Sequence, residues 1–283
     1  MSLRYGILGH PVAHSLSPAM QTAAFRERGI DATYAKLPVK PEDLQKRLPE
    51  IVAEGFAGLN VTVPHKEAIL PLLDHVDGVA RAIGAVNTIS IRNGALFGTN
   101  TDAPGLVRSL EEAQVSLQGI RAVILGAGGA ARAAVVGLAG AGAAEIVLLA
   151  RDTKRAKKVA DELQARCGTT TLRTGSLTDD AASFFTDAGV VIQATSATME
   201  KSAEAVPFAM GLPWGALPPG AAVCDLVYVP VETPVLNAAR ARDLKVIDGL
   251  GMLLHQGALA FETWTGKPAP TAVMREALLS SLA

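Results

Sequence analysis

The fold is decided by the stretch Ile124-Leu125-Gly126-Ala127-Gly128-Gly129-Ala130-Ala131-Arg132. Residues 119–125 are mostly apolar and predict a buried strand, whereas the alanine-rich residues 130–138 predict a helix. A glycine turn between such a strand and helix is typical of a nucleotide site, because the first glycine permits the tight turn and the later glycines let the backbone approach a pyrophosphate. A plain strand-to-helix turn is the alternative that these residues leave open.

The composition describes a globular protein that binds small molecules. The chain has 283 residues, of which 49% are hydrophobic and 19% are charged, and this length suits two domains of ordinary size. The formal net charge of −1 gives no field that would attract nucleic acid or an anionic membrane surface. We therefore expect a small-molecule partner and neither nucleic acid nor a membrane. The oligomeric state, monomer or homodimer, stays open.

Cysteine and histidine usage bears on compartment and metal content. Cys167 and Cys224 stand alone among apolar neighbours, which predicts reduced thiols in a cytoplasmic protein. The five histidines show no ligand spacing with acids or cysteines, so we assign no metal. Gly9 and Pro11 interrupt the N-terminal apolar run too early for a secretory segment, and no run approaches the roughly 20 apolar residues of a membrane helix.

Strand-like and helical runs alternate along the chain, which predicts an α/β fold with mostly parallel strands. In a first unit the predicted strands are 5–8, 32–37, 58–63 and 86–92, and a helix is predicted to begin at Pro18 with Ser17 as its N-cap. In a second, Rossmann-like unit the strands predicted after the glycine turn are 145–150, 170–173, 190–194 and 222–227. Helices predicted at 252–264 and 272–282 would pack back onto the first unit, and residues 201–220 would form a long irregular connection.

A polar strand end lies in Asn60-Val61-Thr62-Val63-Pro64-His65-Lys66. The period of a strand places Asn60 and Thr62 on one face, where a polyhydroxylated ligand would supply hydrogen-bond partners. Pro64 ends the ladder and leaves Lys66 near the carboxyl end of the strand, where open α/β sheets place ligands. An edge strand with one wet face is the alternative.

Two further polar clusters precede helices. In Asn100-Thr101-Asp102 the residue types alone favour a helix cap for the acid. In His14-Ser15-Leu16-Ser17-Pro18 two hydroxyls alternate before a helix N-terminus, which is a natural carboxylate site. Ser17 is explained by capping alone, whereas Ser15 is not.

Cofactor choice is indicated after the strand that follows the glycine helix, where an acidic residue would bind a ribose 2′-hydroxyl. Ala150 stands there instead, and Arg151 and Arg155 are spaced to clamp a 2′-phosphate, which favours NADP. Asp152 argues the other way, because an acid at this place is compatible with NAD. A solvated basic helix face is the alternative that involves no cofactor.

These clusters together resemble the shikimate dehydrogenase family, the shikimate / quinate 5-dehydrogenases, over nearly the whole chain. The resemblance is carried, in one order, by His14-Ser15-Leu16-Ser17-Pro18, Asn60-Val61-Thr62-Val63-Pro64-His65-Lys66, Gly84-Ala85-Val86-Asn87-Thr88, Asn100-Thr101-Asp102, Gly126-Ala127-Gly128-Gly129-Ala130 and Asp248-Gly249-Leu250-Gly251-Met252-Leu253. Two places depart from the family pattern: Ala150-Arg151-Asp152 replaces the usual Asn-Arg-Thr, and Thr198 stands where glycine is common.

The resemblance implies roles for individual residues. Lys66 and Asp102 would be the catalytic pair. The substrate would be bound at its carboxylate and ring hydroxyls by Ser15, Ser17, Asn60, Thr62, Asn87, Asp102 and Gln256, with Tyr228 lining the substrate side of the cleft. The cofactor would be bound by Gly126, Ala127, Gly128, Gly129, Ala130, Arg151, Arg155, Thr195, Gly249 and Met252. For Met252 the alternative is that it only fills the core.

The resemblance also implies a domain plan and a reaction. Residues 1–102 with 250–283 would form a substrate-binding and catalytic domain, residues 103–249 an NADP-binding Rossmann-like domain with a parallel sheet, and a cleft would lie between the two α/β domains. The reaction would be the reversible NADPH-dependent reduction of 3-dehydroshikimate to shikimate, in chorismate and aromatic amino acid biosynthesis.

Three other functions stay open at this point. A quinate/shikimate dehydrogenase that uses NAD or NADP differs by one ring hydroxyl on the substrate. A paralogue would act on an amino-substituted analogue. A non-catalytic NADP-sensing module belongs to another class, and the presence of both Lys66 and Asp102 argues against it.

Overall fold

The computed structural model describes residues 2–178, 181–200 and 202–282. The strands, in chain order, are β1 (Leu3–Gly9), β2 (Ala32–Pro38), β3 (Phe56–Val61), β4 (His75–Val76), β5 (Thr88–Arg92), β6 (Ala95–Thr99), β7 (Arg121–Leu125), β8 (Glu145–Ala150), β9 (Thr171–Ser176), β10 (Val190–Gln193), β11 (Ala222–Asp225) and β12 (Lys245–Ile247). The helices are α1 (Ser17–Glu27), α2 (Leu44–Ala53), α3 (His65–Ala68), α4 (Gly78–Ile83), α5 (Asp102–Glu112), α6 (Gly129–Gly140), α7 (Thr153–Gln164), α8 (Ala182–Phe185), α9 (Ala205–Gly211), α10 (Pro234–Arg240), α11 (Gly249–Thr265) and α12 (Thr271–Ser280). Within the described ranges, every helix is too short or too polar to cross a membrane.

The chain divides into two compact units. Unit 1 is Met1–Gly105 with Leu253–Ala283, and unit 2 is Leu106–Met252. Both divisions fall inside helices, one within α5 and the other within α11. The two units are therefore joined by continuous helical backbone rather than by loops.

Unit 1 is built on a mixed sheet with the order β2-β1-β3-β5-β6-β4. β1 runs parallel to β2 and β3, whereas β5 is antiparallel to both β3 and β6. On one face Leu8 joins a buried apolar cluster with residues of α2. On the other face Tyr5 stacks on Phe25 of α1 and on Trp264 of α11, each at 4.9 Å between ring centroids. Trp264 of α11 thus packs back onto the sheet of the first unit, as predicted.

Unit 2 is built on a sheet that is parallel throughout, with the order β9-β8-β7-β10-β11-β12. Alternate residues of β7 enter two different cores, with Ile124 facing one and Val123 facing the other. Both faces are covered, which explains why these strands have continuous apolar sequences. The strand order reverses between β7 and β10, and open α/β sheets bind ligands beyond the carboxyl ends of the strands at such a point. The predicted α/β class with a parallel second sheet is confirmed.

Some local predictions are wrong. Ser17 does not cap α1: Leu16 is the N-cap, no side chain caps the helix, and Ser17 is its first residue. Part of the predicted irregular connection 201–220 is helical, since it contains α9 and a 3-10 turn at Trp214–Ala216, while residue 201 lies outside the described residues. The indole Nε1 of Trp214 donates to the Ala209 carbonyl at 2.7 Å, so a buried tryptophan orders this segment.

Candidate active site

Lys66 and Asp102 meet in unit 1, although 36 residues separate them. Lys66 Nζ lies 2.7 Å from Asp102 Oδ2, and the two side chains are 16% and 4% exposed. Lys66 lies in the short helix α3, which follows closely after β3. The backbone carbonyl of Lys66 accepts the Val86 N–H at 2.8 Å. The ion pair is thus largely withdrawn from water, where charge interactions are stronger than on the surface.

Asp102 is the first residue of α5, but its carboxylate does not cap the helix. That task falls to Asn100, whose Oδ1 accepts the backbone N–H groups of Asp102 at 3.0 Å and Ala103 at 3.3 Å. The interpretation of Asp102 as a helix cap is therefore wrong. Because Asn100 satisfies the helix start, both carboxylate oxygens of Asp102 are directed to other side chains.

Asn87 organises the polar cluster around that carboxylate. Its Nδ2 donates to Asp102 Oδ1 at 2.8 Å, to Thr101 Oγ1 at 2.9 Å and to Gln256 Oε1 at 3.3 Å. Its Oδ1 accepts the Thr101 N–H at 2.8 Å and the Thr88 hydroxyl at 3.0 Å. The side-chain amide is almost completely buried, so its orientation is fixed by these partners.

Asn60 continues the cluster along the neighbouring strand. Its Nδ2 donates to the Asn87 carbonyl and to Thr88 Oγ1, both at 3.2 Å, and its Oδ1 accepts the Tyr34 hydroxyl at 2.7 Å. Thr62 lies just beyond the end of β3 and is half-buried. The structure thus joins Asn60, Asn87, Asp102, Lys66 and Gln256 through hydrogen bonds in one polar cluster.

Ser15 and Ser17 lie together at the start of α1. Both are buried, and the Ser17 N–H donates to Ser15 Oγ at 3.3 Å. One turn later, Gln21 Nε2 donates to the carbonyl of Gly257 at 2.8 Å, next to Gln256 in α11. This bond ties the helix that carries the two serines to the helix that carries Gln256.

Three residues of the cluster have no role in the sequence prediction. Thr101 and Thr88 bond to Asn87, and Tyr34 fixes the amide of Asn60. Thr88 and Thr101 stand inside the family motifs Gly84-Ala85-Val86-Asn87-Thr88 and Asn100-Thr101-Asp102, and this position could have indicated that they belong to the site. Tyr34 lies on β2 and comes near Asn60 of β3 because β1 pairs with both strands.

The glycine turn in unit 2 has the backbone geometry of an anion site. Gly126 has φ of +120°, a conformation that other residues rarely adopt, and α6 begins at Gly129 with no side chain capping it. A Cβ atom on Gly128 would meet nothing within 4 Å, so the space above the turn is open. Ala127 is buried and Ala130 is half-buried in the first turn of α6. Uncapped N–H groups beside open space suit a pyrophosphate.

Arg151 and Arg155 follow β8 at the same edge of the sheet. Both are exposed, and Arg151 Nη1 lies 3.0 Å from Glu204 Oε2. Asp152 is the N-cap of α7, and its Oδ1 accepts the backbone N–H of Arg155 at 3.1 Å. The carboxylate of Asp152 is therefore engaged by the helix backbone.

The remaining predicted residues divide between loops and core. Thr195 is half-buried in the loop after β10, and Tyr228 is half-buried in the loop after β11. A Cβ atom on Gly249 would lie 2.8 Å from the carbonyl oxygens of Leu226 and Val227, so the backbone approaches closely there. Met252 is 7% exposed and belongs to an apolar core of unit 2.

Known proteins are similar to both units in sequence and in fold. Three family models match: "Shikimate dehydrogenase substrate binding domain" at residues 7–89, "Shikimate / quinate 5-dehydrogenase" at 109–203 and "Shikimate 5'-dehydrogenase C-terminal domain" at 249–279. A protein of Moorella thermoacetica named shikimate dehydrogenase (NADP(+)) is 49% identical over 277 residues, which are 98% of this chain and 92% of that protein.

Solved structures agree with these matches. A crystal structure of a shikimate dehydrogenase in complex with NADP+ has a TM-score of 0.91 and 36% identity, and the match covers 100% of this chain and 96% of the other. The shikimate 5-dehydrogenase of Thermus thermophilus, solved in complex with NADP(H) and shikimate, has a TM-score of 0.86 and 40% identity, with 99% and 100% of the two chains covered.

Proposed function

Because the chain belongs to the shikimate dehydrogenase family, we propose that it catalyses the reversible NADPH-dependent reduction of 3-dehydroshikimate to shikimate. The family membership implies a place in chorismate and aromatic amino acid biosynthesis. The observation that carries the proposal for this chain is the 2.7 Å contact of Lys66 Nζ with Asp102 Oδ2 inside a buried polar cluster. An ammonium group held in this way is suited to protonate an oxygen on which negative charge develops.

Lys66 acts as the proton donor during reduction. Hydride addition to a ketone carbon leaves an alkoxide, and its oxygen takes a proton from Lys66 Nζ. Asp102 Oδ2 directs the ammonium group, while Asp102 Oδ1 is held by Asn87. In the oxidation direction the Lys66 amine accepts the hydroxyl proton, and Asp102 keeps that amine in position.

Unit 1 binds the substrate. The carboxylate is held by Ser15 and Ser17 at the start of α1, where hydroxyls and helix N–H groups favour an anion. The ring hydroxyls are bound by polar side chains of the cluster and its neighbours: Asn60, Thr62, Asn87, Asp102 and Gln256. The family resemblance also assigns Tyr228 to the substrate.

Unit 2 binds NADP, and the residues present fit this group. The open space above Gly128 and the uncapped start of α6 receive the pyrophosphate, with Gly126, Ala127, Gly129 and Ala130 completing the turn. Arg151 and Arg155 hold the 2′-phosphate, and Thr195, Gly249 and Met252 contribute toward the nicotinamide end. When bound, NADPH supplies the hydride.

NADP is favoured over NAD because Asp152, the residue that argued for NAD, is engaged elsewhere. Its carboxylate accepts the Arg155 N–H as the cap of α7. Capping alone accounts for an acid at this position. Arg151 and Arg155 then remain as the side chains that recognise the 2′-phosphate.

A panel of initial rates tests the proposal. Shikimate and quinate are each supplied with NADP+ and with NAD+, and formation of the reduced nicotinamide is followed by absorbance. We expect the highest kcat/KM for shikimate with NADP+. Faster oxidation of quinate would favour the quinate/shikimate dehydrogenase alternative, and NADP+ binding without oxidation of either acid would identify a sensing module.

We further propose a cytoplasmic enzyme that is a monomer or a homodimer. Cys167 and Cys224 are free and buried, as suits a reducing compartment. Burial raises the pKa of the Cys224 thiol far above its ordinary value, so this thiol stays protonated and unreactive.

A further inference from the structure

Asp225 is a completely buried carboxylate that none of the roles above uses. Its Oδ1 accepts the Val227 N–H at 3.0 Å, the Thr198 hydroxyl at 3.2 Å and Gln193 Nε2 at 3.3 Å. Its Oδ2 accepts the Thr233 hydroxyl at 2.7 Å. Burial raises the pKa of this carboxyl, and the four hydrogen bonds oppose the shift.

The position of Asp225 connects two loops. It is the last residue of β11 and pairs in register with Gln193, the last residue of β10. The loop after β10, residues 194–198, is called here the Thr195 loop, and the loop after β11, residues 226–228, is called the Tyr228 loop. Both leave the sheet at its carboxyl edge, beside the point where the strand order reverses.

Gln193, the residue before the Thr195 loop, bonds to the start and to the end of that loop. Gln193 Oε1 accepts the Thr195 N–H at 2.6 Å, and Gln193 Nε2 donates to the Thr195 carbonyl at 3.1 Å and to Thr198 Oγ1 at 2.7 Å. Thr198 has no solvent exposure and passes the bond on to Asp225. One carboxylate therefore holds the end of the Thr195 loop and, through Val227, the start of the Tyr228 loop.

The Thr195 loop also forms a wall of the glycine turn. A Cβ atom on Gly126 would lie 3.1 Å from Thr195 Cγ2 and 3.2 Å from the Ala194 carbonyl oxygen. A small shift of the loop would therefore change the space beside Gly126. The hydroxyl of Thr198, at a position where the family commonly has glycine, is thus linked by hydrogen bonds to the shape of the nucleotide site.

We propose that Thr198 and Asp225 are positioning residues that hold the Thr195 loop and the Tyr228 loop in one arrangement and thereby set the affinity for the nicotinamide cofactor. The proposal rests on the proposed function, in which NADP lies against the Thr195 loop. A chain that populates several loop arrangements binds a ligand more weakly, in proportion to the fraction that is competent. Removing one hydroxyl from the network would increase the number of such arrangements.

The test compares two threonine-to-valine variants of unit 2. Thr198→Val keeps the side-chain shape and removes the hydroxyl that bonds to both Gln193 and Asp225, and Thr198→Ser keeps the hydroxyl. Thr170→Val is the matched control, because Thr170 is also buried and its hydroxyl donates to the Ala143 carbonyl at 2.7 Å, in a bond outside the network. For each full-length variant the Kd for NADP+, the KM for shikimate at saturating NADP+ and the Tm are measured.

We expect Thr198→Val and Thr170→Val to lower the Tm to a similar extent, but only Thr198→Val to raise the Kd for NADP+, by roughly three- to tenfold. Thr198→Ser should bind NADP+ as the wild type does. Equal NADP+ affinity in Thr198→Val, Thr170→Val and wild type would overturn the proposal and leave the network a purely structural one. If wild type binds NADP+ without oxidising shikimate, the proposed function fails while the comparison of Kd values still decides the positioning role.

Discussion

Among single residues, Asn87 makes more of the hydrogen bonds around Asp102 than its lack of charge would suggest. Its amide fixes one oxygen of Asp102, and Lys66 holds the other, so the carboxylate cannot rotate. The same amide accepts the Thr101 N–H at the entrance to α5. Loss of Asn87 would leave a buried carboxylate oxygen and a buried N–H without partners, and such groups are costly.

We expect Asn87→Ala to lower the free energy of unfolding by about 2–4 kcal/mol and to lower kcat for shikimate oxidation as well. Asn237→Ala is the control, because Asn237 is exposed and its side chain bonds to Arg240 on the surface, and its effect should stay within about 0.5 kcal/mol. Urea unfolding and initial rates measure both variants. Equal stability of the two variants would refute the role given to Asn87.

Cofactor selection also rests on single residues. Arg151, proposed to hold the 2′-phosphate, pairs with Glu204 at 3.0 Å, and the two side chains are 74% and 62% exposed. Exposed pairs of this kind are weak, and a dianionic phosphate with several acceptor oxygens competes well against one carboxylate. We therefore expect Glu204 to compete weakly with NADP for Arg151.

We expect Glu204→Gln to lower the Kd for NADP+ by up to about fivefold, the equivalent of one exposed ion pair, with little change for NAD+. The effect should vanish in an Arg151→Ala background, because the guanidinium that pairs with Glu204 is then absent. Titration of both cofactors into all four proteins completes the cycle. An equal gain for NAD+ would disconnect Glu204 from the 2′-phosphate.

At the scale of elements, α5 and α11 approach each other closely at a glycine. A Cβ atom on Gly105 would lie 2.7 Å from the backbone nitrogen of Gln256 and 2.8 Å from its Cβ. The neighbour is mainly backbone, which cannot move aside cheaply. Gly105 thus allows the side chain of Gln256 to reach Asn87.

We expect Gly105→Ala to lower the free energy of unfolding by about 1–3 kcal/mol and to raise the KM for shikimate, because Gln256 is displaced. Gly140→Ala is the matched control: this glycine ends α6 with nothing within 4 Å of a new Cβ, and alanine there should add roughly 0.5–1 kcal/mol. Thermal unfolding and steady-state kinetics measure both. An unchanged KM in Gly105→Ala would show that this crossing does not position Gln256.

How well the elements could be predicted depended on their length and burial. The strands of unit 2 are buried on both faces and were visible as apolar runs, and the glycine turn marked the start of α6. Two strands, β4 and β12, were not predicted, because they have only two and three residues. The start of α1 was predicted one residue late and its cap was wrong, since Ser15 rather than Ser17 supplies the hydroxyl that accepts a backbone N–H.

At the scale of the whole molecule, the site of unit 1 is assembled from distant parts of the chain. Gln256 and Asn87 are 169 residues apart in the sequence, and no local pattern predicts their contact. Local reasoning favoured a helix cap for Asp102, because only the coordinates show that Asn100 provides the cap and leaves the Asp102 carboxylate to other side chains. The family resemblance suggested the pairing of Lys66 with Asp102, whereas the supporting contacts of Thr88, Thr101 and Tyr34 required coordinates.

In the proposed function the two units have different tasks: Lys66 in unit 1 transfers the proton, and unit 2 binds the cofactor. The most direct test measures kcat for shikimate oxidation and the Kd for NADP+ in Lys66→Ala, with Lys157→Ala, an exposed lysine of α7, as the control. We predict that Lys66→Ala loses roughly 10²- to 10⁴-fold in kcat with an unchanged Kd for NADP+, and that Lys157→Ala changes neither. Retained turnover in Lys66→Ala, or a collapse of its NADP+ affinity, would contradict this division.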